Sequence, residues 1–174
     1  MEWQPPVAPG PPPPPAPEAP APSAPQPRWA LAGWWERVGA TILDTIFLVL
    51  LIVAAVAAGV GLGAATDELA GVPFYAVAAA VWLFYAPYLM RREGERNGQT
   101  WGKQAVGIRV VKEDGQPMSL GWSFFREIVI KTVLFGWIGG SLVIGWLLDV
   151  LWPLWDDENR ALHDMIVSTR VVNA

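Results

Sequence analysis

Apolar residues in this chain fall in long blocks, not at the period of an amphipathic helix or strand. The first runs from Trp34 to about Gly63, the second from Val72 to Met90, and the third covers residues 119–155. Blocks of this kind predict membrane helices, because about 20 apolar residues cross a hydrocarbon layer of ~30 Å. The first block opens on Trp34 and Trp35, which suit a headgroup interface. Its small residues Ala55, Gly59 and Gly63 recur every four positions, a spacing that admits another helix at close range. The second block, VPFYAVAAAVWLFYAPYLM, starts near Pro73 and carries Pro87, a kink position. The third is too long for one span, and Arg126 and Lys131 would be costly at a bilayer centre. Gly139-Gly140 offers a break, so the pattern predicts one helix near 119–137 and another near 140–155, together a hairpin.

Polar segments orient these blocks. GAATDELAGV carries two acids and no basic residue, whereas Arg91 to Lys112 holds six of the chain's 12 basic residues. The positive-inside rule puts that basic loop, and with it the N-terminus, in the cytoplasm. GIRVV (107–111) and STRVV (168–172) share Arg-Val-Val and are β-branched enough to be strands. Pairing them in one small sheet brings the C-terminus to the cytoplasmic side as well.

Composition agrees, with 53% hydrophobic and 16% charged residues. The absence of cysteine excludes disulfides and thiolate metal sites. No basic patch interleaved with aromatics appears, so nucleic acid is not an expected partner. Residues 1–27 hold 13 of the 17 prolines and no Lys or Arg. They read as a disordered, polyproline-II-like tail, with no signal-peptide features. The tail is a spacer, or Pro11 to Pro15 dock on a protein partner's aromatic groove. The expected architecture is an all-α polytopic membrane protein of three to four hydrophobic helices with a small cytoplasmic β-hairpin or sheet. It comprises a tail over 1–30 and a membrane domain over 31–174, multi-pass in the cell membrane.

Three stretches together resemble the RDD family of membrane proteins: ERVGATILD, GQTWGKQAVGIRVVKEDGQPMSLGWSFFRE and ALHDMIVSTRVV. The second is similar to that family's Gly-Lys-x-x-x-Gly-x-Arg-Val-Val loop, here Gly102, Lys103, Gly107 and Arg109. The third is similar to its closing Leu-His-Asp. The family is named for one arginine and two aspartates. Arg37 and Asp44 match the first two, and Asp164, with Asp149 as the alternative, matches the third. The resemblance implies a membrane role that is largely unsettled. Transport of unspecified ligands has been proposed for the family, and some members are described as sodium/proton antiporters.

Asp44 is the residue that asks for a reason. With Trp34 and Trp35 at the interface it would lie roughly 14 Å deep. An ionised Asp at a bilayer centre costs about 2.5–3.5 kcal/mol, so it must be paired, protonated or hydrated. Arg37, two turns away on the same face, is a marginal partner because it snorkels outward. A network of Asp44, Arg37 and either Arg126 or Lys131 is therefore expected. It acts as glue that fixes helix register, or as a site that binds and releases a proton or cation. The second role needs copies of the chain to associate, since one acid in so small a protein does not make a pump.

Other signals fail. GQTWGKQ has three residues between its glycines and Gln104 where a P-loop needs Ser or Thr. Gly59, Gly61 and Gly63 follow no strand and make no dinucleotide fingerprint. His163-Asp164 reads as a helix-start feature, and Asp156, Asp157 and Glu158 as a solvated cap, not a metal site. No enzyme and no cofactor is expected.

Overall fold

The computed structural model describes Met1, residues 30–138 and residues 144–174. The expected Pro-rich tail, up to residue 29, and the Gly139-Gly140 break lie outside the described residues.

The first two apolar blocks form long helices, α1 (Trp34–Ala65) and α2 (Val72–Met90), joined by a 3-10 turn at Glu68–Gly71. Glu36 starts α1 by accepting the Gly33 N–H at 2.8 Å and places an acid in the first turn, where it complements the helix dipole. Asp67 caps the turn by accepting the Leu69 N–H. The helices run antiparallel, because Gly59 meets Phe74 and Tyr75 while Asp44 meets Tyr85. Gly59 and Gly71 allow this approach: a Cβ on Gly71 would come within 2.5 Å of the Gly59 carbonyl oxygen. The neighbour anticipated from the small-residue spacing is thus α2 of the same chain. Helices α1 and Glu68–Met90 are each long and apolar enough to cross a membrane, yet only 6% and 11% of their most apolar windows is buried. A core helix of a water-soluble protein would be mostly covered, so these outward faces are built to meet lipid or another apolar surface.

A polar cap closes one end of this pair. Short helix α3 (Trp101–Val106) leads into strand β1 (Ile108–Lys112), and β2 (Thr169–Asn173) pairs with it antiparallel. Arg109 faces Val172, Val110 faces Val171 and Val111 faces Arg170, so the two Arg-Val-Val segments are sheet partners. Leu31 adds a bridge to Val172, and the Ala32 N–H donates to the Val171 carbonyl at 3.0 Å. The entry to α1 is therefore sewn to the sheet. Gly98 shows why glycine is needed in the loop: φ is +77° and a Cβ would lie 1.9 Å from the Val110 carbonyl oxygen. The core sits in this cap, with Ala32, Ala40, Met90, Ile108, Val110, Met118 and Val171 packed together.

The third block begins as α4 (Leu120–Phe124) and runs on as a π-helix over Phe125–Ile138. Beyond residue 143 come α5 (Ile144–Leu151), a 3-10 turn at Trp152–Leu154 and α6 (Leu162–Ile166). Among the described residues the chain is thus mostly helical, with two helices of membrane-crossing length and a two-stranded sheet; Ile144–Leu154 is a shorter apolar helix.

Candidate functional site

The charged residues singled out in the sequence gather in two clusters on the cap side of α1. In the first, α3 lies against α1 and presents its opening residues to Asp44. Thr100 caps α3 and gives its hydroxyl hydrogen to Asp44 Oδ2 at 2.5 Å. The Gly102 N–H and the Tyr85 hydroxyl both donate to Asp44 Oδ1 at 2.8 Å. Lys103 Nζ stands 4.0 Å from Oδ2. Trp101 closes the cluster edge-on to Phe47 and Tyr85. Gly102 is indispensable here, because a Cβ would fall 2.3 Å from the Ala40 carbonyl oxygen and 2.7 Å from Asp44 Cγ. Gly107, at φ +76°, ends α3 in the left-handed conformation that glycine adopts without strain. Arg109 follows on β1, its Nε buried and without a partner among the described residues.

The second cluster centres on Asp164, which is fully buried. Arg37 Nη1 donates to its Oδ2 at 2.7 Å. Arg126 donates to its Oδ1 from Nε at 3.2 Å and from Nη2 at 2.5 Å. The Thr169 hydroxyl and the Ala161 N–H complete its shell at 3.1 and 3.3 Å. Burial alone would raise the Asp164 carboxyl, but the Arg126 charge, aided by Arg37, holds it well below the usual carboxylate range. Arg126 also reaches Glu127 and, at 3.0 Å, His163 Nε2. Asp149 accepts from both the backbone N–H and Nδ1 of His163, at 2.9 and 2.8 Å. Glu127 in turn faces Lys103 at 3.8 Å and Lys131 at 3.5 Å.

This arrangement differs from the expected network. Arg37 and Arg126 do meet on one carboxylate, but it is Asp164, while Asp44 is held by α3 and α2. Lys131 pairs with Glu127. Arg37 reaches no oxygen of Asp44, because the 10.5 Å or so between their Cα atoms along the axis is not closed and Asp164 arrives from α6. Nor does Asp44 stand alone in an apolar run: the cap folds back onto the first three turns of α1 and brings donors to it. Thr100, Tyr85, Glu127 and Thr169 were not singled out from sequence. A threonine two residues before Gly102 in a Thr-x-Gly-Lys stretch is an N-cap signal that could have found one of them.

Between the second cluster, α1 and α5 lies a cavity of about 410 Å3 lined by Arg37, Lys103, Arg126, Lys131, Asp149 and His163, with apolar residues around them. Its lining also includes Thr41 and Ile42 of α1 and Trp146 of α5, all exposed, which we take as its mouth. Among the described residues no group of three or more His, Cys, Asp or Glu side chains could hold a metal ion.

Comparison with known proteins matches the RDD family over residues 31–168. The chain is 30% identical over 145 residues to the uncharacterized protein YckC of Bacillus subtilis (strain 168), covering 82% of this chain and 85% of that one. It is 32% identical over 94 residues to a proline-rich antigen of Mycobacterium leprae (strain TN), covering 51% of this chain and 33% of the antigen. No solved structure matches. The family match takes in both clusters, from Arg37 to Asp164, and both long apolar helices: the chain belongs to the RDD family and is a membrane protein.

Proposed function

We propose that this protein is a multi-pass, non-enzymatic transport component of the cell membrane, with both termini cytoplasmic, and that its working part is the charge-lined cavity, not Asp44. The observation that carries this reading is the cavity itself. Four cations and a His–Asp pair from five separate elements line one space of about 410 Å3. Asp44 is the weaker candidate for an ion carrier. Its two oxygens already accept three hydrogen bonds, the environment of a carboxylate that fastens one element to another.

Proton linkage falls to His163. A guanidinium only donates, so His163 Nε2 accepts from Arg126 and Nδ1 carries the proton toward Asp149. A proton added at Nε2 would set N–H against N–H, so His163 and Arg126 would part. Arg126 also holds Asp164 and Glu127, and Asp149, Arg37, Lys103 and Lys131 line the same space. Proton uptake would therefore reshape one wall of the cavity.

Proteoliposomes carrying an internal pH indicator test this under imposed sodium or potassium gradients. The parent should dissipate the pH gradient. His163→Gln keeps an acceptor for Arg126 and a donor for Asp149 but cannot titrate, so it should fold and lose the coupled flux. Flux that survives this substitution, or a parent that conducts nothing, removes the reading.

A second reading, a membrane scaffold, is favoured by a polar cleft of about 660 Å3 in the basic loop, lined by Arg91, Arg109 and Lys112. A scaffold would use this loop and the Pro-rich residues 1–27 to recruit a protein. Deleting the tail should then abolish partner capture, whereas a transporter would keep its flux.

A further inference from the structure

The donors that line the cavity are unequally used. Arg126 spends its N–H groups on Asp164, Glu127, Thr169 and His163. Arg37 uses Nη1 on Asp164 and Nε on the Ala32 carbonyl, but its Nη2 is buried with no partner among the described residues. Lys103 is more demanding. Its side chain is 12% exposed, and its nearest carboxylate oxygens stand at 3.8 and 4.0 Å, beyond hydrogen-bond reach. Among the described residues no acceptor lies within hydrogen-bond distance of its Nζ, and burial pushes the Lys103 amine below its ordinary value. The unpartnered Arg37 Nη2 and the Lys103 ammonium belong to residues that line the same space.

Charge then limits what could fill it. The four lining cations are matched by Asp44, Glu127, Asp149 and Asp164, each within reach of one of them or of His163. With no net positive charge to neutralise, the site has little claim on a free dianion. A monoanion with an apolar portion fits better: the headgroup supplies acceptors and the chain supplies buried area. The mouth matches such a shape. Thr41 and Ile42 lie within one turn of Asp44, where the polar cap gives way to the charge-free part of α1. Below them Ile46, Val49 and Val53 continue as an exposed apolar stripe. Trp146, half exposed across the mouth, is a residue suited to the headgroup layer.

We infer that the cavity is a binding site for a monoanionic amphiphile of the membrane, a phosphodiester headgroup held by Lys103 and Arg37 Nη2 with its acyl chain leaving between Ile42 and Trp146. This deepens the cavity-based reading above and rests on it only for the claim that the cavity is the working part.

The test uses the purified full chain in neutral detergent, titrated with phosphatidylglycerol, phosphatidylcholine, or inorganic phosphate, and reads thermal unfolding. A ligand that binds only the folded state raises the midpoint with concentration. Phosphatidylglycerol should raise it at least about tenfold more potently than phosphatidylcholine, and inorganic phosphate should not raise it. Ile42→Trp, placed at an exposed position to plug the mouth, should remove the phosphatidylglycerol effect while leaving the unliganded midpoint near the parent's. Lys103→Gln should weaken it too, and the Trp variant keeps the test decisive if the Gln variant does not fold. Equal responses to both lipids, a response to inorganic phosphate alone, or an undiminished effect in Ile42→Trp would overturn the inference. Lipid-specific stabilisation without any ion flux would sink the transport reading and leave this site standing; flux without lipid specificity would do the opposite.

Discussion

Gly102 and Asp164 show how single side chains fix this cap. Gly102→Ala would drive a methyl group into the Ala40 carbonyl and the Asp44 carboxylate. The Ala40 carbonyl and the Asp44 backbone nitrogen, 2.8 Å from the same Cβ, belong to the α1 backbone and cannot swing aside, so a loss of about 1–3 kcal/mol or more is expected in chemical unfolding. Asp164 adds a pH signature. Its carboxyl is depressed in the fold by Arg126 and Arg37 against the effect of burial. The stability it contributes is therefore complete above the unfolded-state value near about pH 4 and is lost as pH falls below it. Unfolding midpoints should hold steady from neutrality down to that point and then drop, and Asp164→Asn should be weaker than the parent at neutral pH. Arg37 and Asp44 were legible as charges in and beside an apolar run, whereas Gly102 and Asp164, the latter with Asp149 as its alternative, were reached only through the resemblance to the RDD family. Their partners were not legible. Arg37 and Asp164 are 127 positions apart, and no local spacing announces a contact that depends on α6 returning to the start of α1.

At the scale of elements, α1 and α2 pack through glycine, and the sheet packs through valine. Gly59→Val should pry the helices apart, since its Cβ already falls 3.0 Å from Phe74 Cβ and 3.1 Å from the Gly71 carbonyl oxygen. A lowered unfolding midpoint, of about 1–3 kcal/mol, is the expected result; the same substitution at Gly61, which meets nothing within 4 Å, should be tolerated. These elements were the most readable part of the chain. Long apolar runs and a repeated Arg-Val-Val are local patterns, and the strands did pair in the antiparallel register that β-branched residues on one side of a membrane allow. Helix α3 was harder to see. It has six residues, too few for a periodic signal, and it exists because Thr100 caps it and Gly102 lets it touch α1.

For the whole molecule, the length of α1 decides how it sits. Its 32 residues rise about 48 Å, well beyond a hydrocarbon thickness of about 30 Å. Residues 45–65 carry no charge and rise roughly 31 Å; the stretch before them is wrapped by the cap. If residues 45–65 are the crossing, Asp44 lies at the boundary between cap and lipid, whereas counting from Trp34 and Trp35 puts it at the midplane. Cysteine at Thr41 should react with a membrane-impermeant maleimide from the cap side, and cysteine at Val53 should not. Protection of both would restore the deeper placement. Arg37, Asp44 and Asp164 bolt a polar cap onto a pair of apolar helices. The most direct test is the thermal stability of Asp44→Asn beside the parent in one detergent. An amide has one acceptor oxygen where the carboxylate serves three donors, and it leaves Lys103 only Glu127. A loss of about 2–4 kcal/mol, or roughly 5–15 °C, is predicted. An unchanged or higher midpoint would contradict the claim and return Asp44 to the candidates for an ion site.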